Sequence, residues 1–148
     1  MTELQTLEIL KDNNPLLRGM SSEIASVNDE IRTLASNMIE TMKAANGIGL
    51  AAVQVGMPIR MIVVKTGSDC IVMVNPVIEW AKKLCVEMEE GCLSLPGRRI
   101  DISRPADIEV AFTDLDGNRQ KLALGGMPAR IVQHEIDHLD GILMPDRI

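Results

Sequence analysis

The sequence predicts an α+β fold: one helix early, one helix late, and mixed, mostly antiparallel strands between them. Three observations carry this reading. Apolar residues recur at helical spacing across 27–45, short apolar runs divided by turn residues fill 59–124, and a second helical stretch near the C-terminus carries both histidines of the chain. At 148 residues the chain fits one domain, 1–148, large enough to bury a core without disulfides.

The elements follow in order. Residues 1–26 lack periodicity and read as an irregular arm with a turn at Asn13-Asn14-Pro15. Val27, Ile31, Leu34, Ala35, Met38, Met42 and Ala45 then form one stripe of an amphipathic helix that starts near Asn28 and stops at Asn46-Gly47. Its methionines read as core filling. The stretch Gly47-Ile48-Gly49-Leu50-Ala51-Ala52-Val53-Gln54 mimics a dinucleotide fingerprint, but that motif needs a strand before it and a helix after it. Here a helix precedes it and Gly56-Met57-Pro58 soon closes it. The glycines are better explained by close backbone approach, with Gln54 as the polar side chain on offer.

From Ile59 the pattern becomes strand-like. Ile59–Lys65 and Cys70–Asn75 flank Gly67-Ser68-Asp69 as a hairpin, and Val77–Leu84 and Val86–Glu89 read as further strands. Asp107–Thr113 and Arg119–Leu124 flank Asp116-Gly117 as a second hairpin. Gly125-Gly126 leads into the last helix, with Pro128 in its first turn and Gly141 at its end.

Composition excludes several classes. Phe112 and Trp80 are the only aromatic residues apart from the histidines, too few for base-stacking platforms, and the net charge of −6 does not seek phosphate backbones. Neither nucleic acid nor a membrane is expected as a partner, since no apolar run approaches the ~20 residues of a membrane span. Three cysteines without a C-x-x-C pair suggest a reduced, cytoplasmic setting. Cys70 and Cys85, each within an apolar run, read as buried thiols.

The chemistry concentrates in Gln133-His134-Glu135-Ile136-Asp137-His138-Leu139. Residues i and i+4 share a helix face, so His134 and His138 can reach one small cation while Glu135 stands beside it for proton work. The alternative is a surface helix that happens to carry these residues; against it, the chain spends both its histidines on this spacing. Two ligands do not complete a site, and the third must come from a cysteine or carboxylate. Cys92, in Glu90-Gly91-Cys92-Leu93-Ser94 with Pro96-Gly97 after it, reads as a loop thiol that can be presented to a metal. Cys with two His leaves one position of a tetrahedral site open.

Taken together, Gly47–Gln54, Glu90–Ser94 and Gln133–Leu139 resemble the three motifs of peptide deformylases, in the family's order and at similar separations. The resemblance covers roughly residues 1 to 147. It implies a peptide-deformylase-like fold around the metal-binding helix, with Cys92, His134 and His138 as ligands of one divalent ion. Fe²⁺ is expected, with Zn²⁺, Ni²⁺ or Co²⁺ as substitutes. Glu135 would be general base and acid, and Gln54 with the backbone N–H of Leu93 would hold the developing oxyanion. Ile48 and Gly49 would meet the substrate chain, Arg99 would contact it further along, and Ile48, Met127 and Ile131 are candidate lining for its methionine side chain. Glu90 would pair with Arg104. The implied reaction is hydrolysis of the formyl group from N-formylmethionyl peptides, releasing formate.

Two side chains depart from the family pattern: Met144, and Arg130 in an early turn of the metal helix. Only seven residues follow Gly141, where many bacterial members continue into another helix. With the acidic charge, this leads to an expectation of weak ribosome docking by a monomer. Two other functions stay open at this point. An H-E-x-x-H metallopeptidase would need a later third ligand, for which only Asp140 and Asp146 are available; a non-catalytic structural metal domain would need a fourth ligand, and none is evident.

Overall fold

In chain order, the computed structural model contains helix α1 (Asp29–Ala44), strands β1 (Gly49–Ala51), β2 (Met61–Thr66), β3 (Asp69–Ala81), β4 (Cys85–Cys92), β5 (Leu95–Pro105), β6 (Asp107–Thr113) and β7 (Arg119–Gly125), and helix α2 (Gly126–Leu139). It describes residues 4–148, so the first three residues of the predicted arm lie outside it. Five strands form one sheet in the order β1-β2-β3-β6-β7, and β4 and β5 form a separate hairpin. Every strand pairing is antiparallel.

The sheet lies between the two helices, and β2 shows why. Ile62 and Val64 face a core shared with Ala129, Val132, Ile136 and Leu139 of α2. Met61 and Val63 face Ala35, Met38 and Met42 of α1. A strand covered on both faces reads as an unbroken apolar run, which is what Met61–Val64 is. Helix α1 starts where expected: the Asn28 side chain accepts a hydrogen bond from the Ile31 N–H at 3.0 Å, while Asp29 and Glu30 face the positive helix end. At the other end Asn46 takes a left-handed conformation at φ 57° and turns the chain into β1.

Several expectations need correction. Among its described residues the arm is irregular except for a short 3-10 turn at Pro15–Arg18, capped by Asn14, and an isolated bridge from Ser22 to Ile59. The segment predicted as a separate strand from Val77 continues β3 instead, across a register shift between Val74 and Val77. Strand β5 had no counterpart in the sequence reading, because Pro96, Gly97, three arginines and Pro105 hide its alternation. Cys92 ends β4 and is not a loop residue, the pairing having run past Glu89. Cys85 is exposed, against the expectation of a buried thiol, since it opens the β4–β5 hairpin outside both core clusters; Cys70 is half-buried against the α1 cluster. Met144 is buried with Leu95 and Ile102 in a third small cluster under that hairpin. No helix among the described residues is long and apolar enough to cross a membrane.

Candidate metal and catalytic centre

The site forms where α2 passes the β4–β5 hairpin and the edge strand β1. Helix α2 places His134 and His138 on one face, their ring centroids 5.1 Å apart. A register irregularity between Gly91 and Cys92, where the β4–β5 pairing jumps from Gly91–Arg99 to Cys92–Leu95, brings the Cys92 thiol to them. Its Sγ lies 3.3 Å from His138 Nε2, and the candidate ligand atoms of Cys92, His134 and His138 all lie within 4.8 Å of one another.

Each histidine is held differently. His134 Nδ1 donates to Glu90 Oε1 at 2.9 Å, which leaves its Nε2 for another partner. The Nδ1 of His138 is buried without a partner. Burial pulls both rings down in pKa. In His134 the hydrogen bonds with Cys92 and Glu90 outweigh burial and raise it to about 10, while in His138 burial and the facing His134 lower it to about 3.

Glu90 sits between two guanidiniums. Arg104 donates from Nε to Oε2 at 2.6 Å and from Nη2 to Oε1 at 3.0 Å, and Arg130 donates from Nη1 to Oε2 at 2.5 Å. Burial pushes Glu90 up, but the hydrogen bonds from His134 and Arg104 win and hold it at about 2. Arg104 also donates to Asp137 Oδ2 at 2.9 Å, and Asp137 accepts from Arg147, so a chain of charges runs from His134 to Arg147. Arg130 further bonds the carbonyls of Ile102 and Val86, which ties α2 to both strands of the hairpin. The arginine that departs from the expected pattern is therefore a buried clamp.

Glu135 points the other way, toward β1. It is buried, and its Oε1 has no hydrogen-bond partner. Desolvation raises its pKa to about 7, against the pull of His134 and Arg104. A Cβ on Gly49 would meet Glu135 Oε2 at 2.6 Å and Ile131 at 2.7 Å, so only glycine lets β1 run this close to the carboxylate.

Gln54 is buried in the 3-10 turn after β1. Its Oε1 accepts from the Ala51 N–H at 2.9 Å, and its Nε2 donates to Ser94 Oγ at 3.0 Å while lying 3.9 Å from Cys92 Sγ. This fixes the amide with an N–H edge toward the cysteine. Leu93 follows Cys92 in the turn between β4 and β5. A cavity of about 610 Å³ opens from this centre, lined by Ile48, Gly49, Arg99, Met127, Ile131 and Glu135 among others. The structure thus gathers every sequence-predicted site residue around one cavity except His138, which sits behind the thiol. Sequence reasoning gave no role to Ser94, although it closes the Glu-Gly-Cys-Leu-Ser motif, and none to Asp137 or the arm.

A thiol and two imidazoles within reach of one point, with a second ring nitrogen oriented by a carboxylate, fit Fe²⁺, Zn²⁺, Ni²⁺ or Co²⁺. No fourth protein ligand joins them among the described residues, which suits an open site better than a closed structural one.

Comparisons with known proteins point to one family. A family profile described as "Polypeptide deformylase" matches residues 6–148. The chain is similar to the peptide deformylase of Picosynechococcus sp., 44% identical over 148 residues that span 96% of this chain and 79% of that protein. It is equally similar to the peptide deformylase of Dictyoglomus thermophilum, 44% identical over 142 residues, 95% of this chain and 91% of the relative. Among solved structures, the peptide deformylase of Thermotoga maritima superposes with a TM-score of 0.95 at 35% identity, covering 97% of this chain and 98% of that one. The Met-Ala-Ser-bound class I type b peptide deformylase of Acinetobacter baumannii gives a TM-score of 0.93 at 34% identity, with 97% and 98% covered.

Proposed function

The chain belongs to the polypeptide deformylase family, and we propose that Cys92, His134 and His138 hold its metal while Glu135, Gln54 and Leu93 carry its chemistry. As a member of that family it is a metal-dependent hydrolase that removes the formyl group from nascent N-formylmethionyl peptides. The observation that carries the residue assignment is the conjunction of the three candidate ligand atoms with a buried carboxylate, Glu135, in the lining of the same cavity.

A divalent ion at this site supplies an electrophile and an activated water at neutral pH. The protein's own groups do the rest. Glu135, its carboxyl raised by burial to about 7, accepts a proton and returns it to the leaving amine. The Gln54 amide and the Leu93 N–H are set in advance to receive negative charge on the formyl oxygen. Ile48 and Gly49 border the substrate chain at the cavity edge, and Met127 and Ile131 give its methionine side chain apolar contact. The relative bound to Met-Ala-Ser supports a peptide with methionine first. Formate and a free amino terminus leave.

Fe²⁺ is the metal of this reading, as the family resemblance implies, and the thiolate–imidazole set accepts it along with Zn²⁺, Ni²⁺ and Co²⁺. Residues 1–148 act as one catalytic domain, supported by a cavity that draws lining from the arm, α2 and both sheets. The enzyme works as a monomer in the cytoplasm, with all site residues in one chain and three unpaired cysteines, and its charge of −6 supports weak association with ribosomal RNA. Formate release from formyl-Met-Ala-Ser, with metal analysis of the same sample, tests the proposal. One equivalent of metal with turnover is expected from protein prepared without oxygen. Metal-independent turnover, or a loaded protein that releases no formate, would overturn it.

A further inference from the structure

We propose that Lys11 and Arg98, beside Arg99, form a cationic rim on the substrate cavity that selects formyl-peptides carrying carboxylates beyond the methionine; this rests on the reading of that cavity as the deformylase site.

The arm that carries Lys11 is fastened to the catalytic segments. The Leu10 N–H donates to the Gln54 carbonyl at 2.7 Å, and the Asp12 N–H donates to the Ser94 carbonyl at 2.7 Å. Lys11 lies between these two anchors and lines the cavity. On the opposite bank the chain turns at Gly97, whose φ of 79° starts the run into Arg98 and Arg99. Arg99 pairs across from Gly91, and a Cβ on Gly91 would meet its guanidinium at 3.2 Å, so this side chain lies over the strand next to Cys92.

All three cations are exposed, and none makes an ion pair among the described residues. The lining carboxylates are differently placed. Glu90 and Glu135 are buried, and only Glu89 is exposed. The mouth is therefore positive on a chain whose net charge is −6. A formyl-peptide seated with its first residue in the cavity must send its later residues out past this rim. Side-chain carboxylates there gain favourable screened interactions, and ammonium groups are repelled. The charges do not touch the reacting atoms, so the preference belongs to binding and falls on KM.

The test uses the metal-loaded enzyme with formyl-Met-Ala-Glu, formyl-Met-Ala-Gln and formyl-Met-Ala-Lys, each with an amidated C-terminus so that only the side chain differs. The Glu peptide should exceed the Lys peptide by about three- to tenfold in kcat/KM, the scale of a few exposed charge interactions. The ratio should shrink as ionic strength rises from about 0.02 to about 0.5 M. In the double variant Lys11→Gln/Arg98→Gln it should fall toward one, through KM of the Glu peptide. Lys83→Gln, which removes one charge outside the cavity lining, should keep it. Equal kcat/KM for the three peptides would overturn the rim, as would a ratio that survives the double variant. Turnover of the Gln peptide separates the two readings: without it the site assignment fails, and with it a flat preference defeats the rim alone.

Discussion

His134 Nδ1 donates to Glu90 Oε1 at 2.9 Å, and the same carboxylate accepts from both Arg104 and Arg130. The imidazole of a proposed metal ligand is thus aimed by a carboxylate that is itself pinned from two sides. Glu90→Gln keeps the shape and removes the charge that both guanidiniums face. Loss of such an outer partner weakens metal binding by about 10- to 100-fold. Competition for Zn²⁺ or Ni²⁺ against a chromophoric chelator should show this drop, and unchanged affinity would mean that Glu90 only braces the hairpin.

The same cluster sets acid stability. Glu90 is lowered to about 2, so it binds a proton more weakly folded than unfolded. Its stabilisation is complete above the ordinary carboxylate value of about 4.5 and is lost as pH falls from there toward 2. The loss is on the order of 3 kcal/mol by the linkage relation. Urea midpoints of the parent should therefore fall across that window more steeply than those of Glu90→Gln, and parallel curves would remove Glu90 as the cause.

Much of this was legible in the chain, for physical reasons. Helix α1 announced itself through its apolar period and the Asn28 cap, and α2 through the spacing of His134 and His138, because helical periodicity and capping are local. The hairpin carrying Cys92 was only half visible. Strand β5 is stabilised by pairing with β4 and by Arg104, which reaches the buried carboxylates of Glu90 and Asp137, so its residues look polar and loop-like until the partners are in place. Arg130 shows the same effect: a charge in an apolar pattern makes sense only beside Glu90 and the hairpin carbonyls. Cys85 was misread because a short apolar run does not say whether anything covers it.

On the proposed reading Glu135 carries protons and does not hold the metal, so Glu135→Gln should abolish turnover while metal content stays near that of the parent. His138→Ala should lose both. Burial raises the Glu135 carboxyl to about 7, and below its pKa the base is protonated and inactive. A bound cation nearby lowers that value, so kcat/KM should fall on an acid limb between the ordinary carboxylate value of about 4.5 and 7. Placing the limb above 7 in a pH profile of kcat/KM, or finding Glu135→Gln emptied of metal, would contradict the role.

Gln54 and Ser94 should separate donation from aim. The Gln54 amide is the side chain turned toward Cys92 from β1's end, and its Oε1 is tied to the Ala51 N–H, so the Nε2 edge cannot swing away. Removal of one oxyanion donor lowers kcat by about 10²- to 10³-fold. Gln54→Ala should show that loss with a far smaller change in KM, because the interaction strengthens only as charge develops on the formyl oxygen. Ser94 acts one step back: its hydroxyl accepts from Gln54 Nε2 at 3.0 Å and both groups are buried. Ser94→Ala removes the brace and leaves the donor, so kcat should fall by only about tenfold, the size of one neutral hydrogen bond. In the double variant Ser94→Ala/Gln54→Ala the second loss should vanish, since a brace without its donor has nothing to aim. Additive losses in that cycle would assign Ser94 a separate task, and a near-normal kcat in Gln54→Ala would take the amide out of the mechanism.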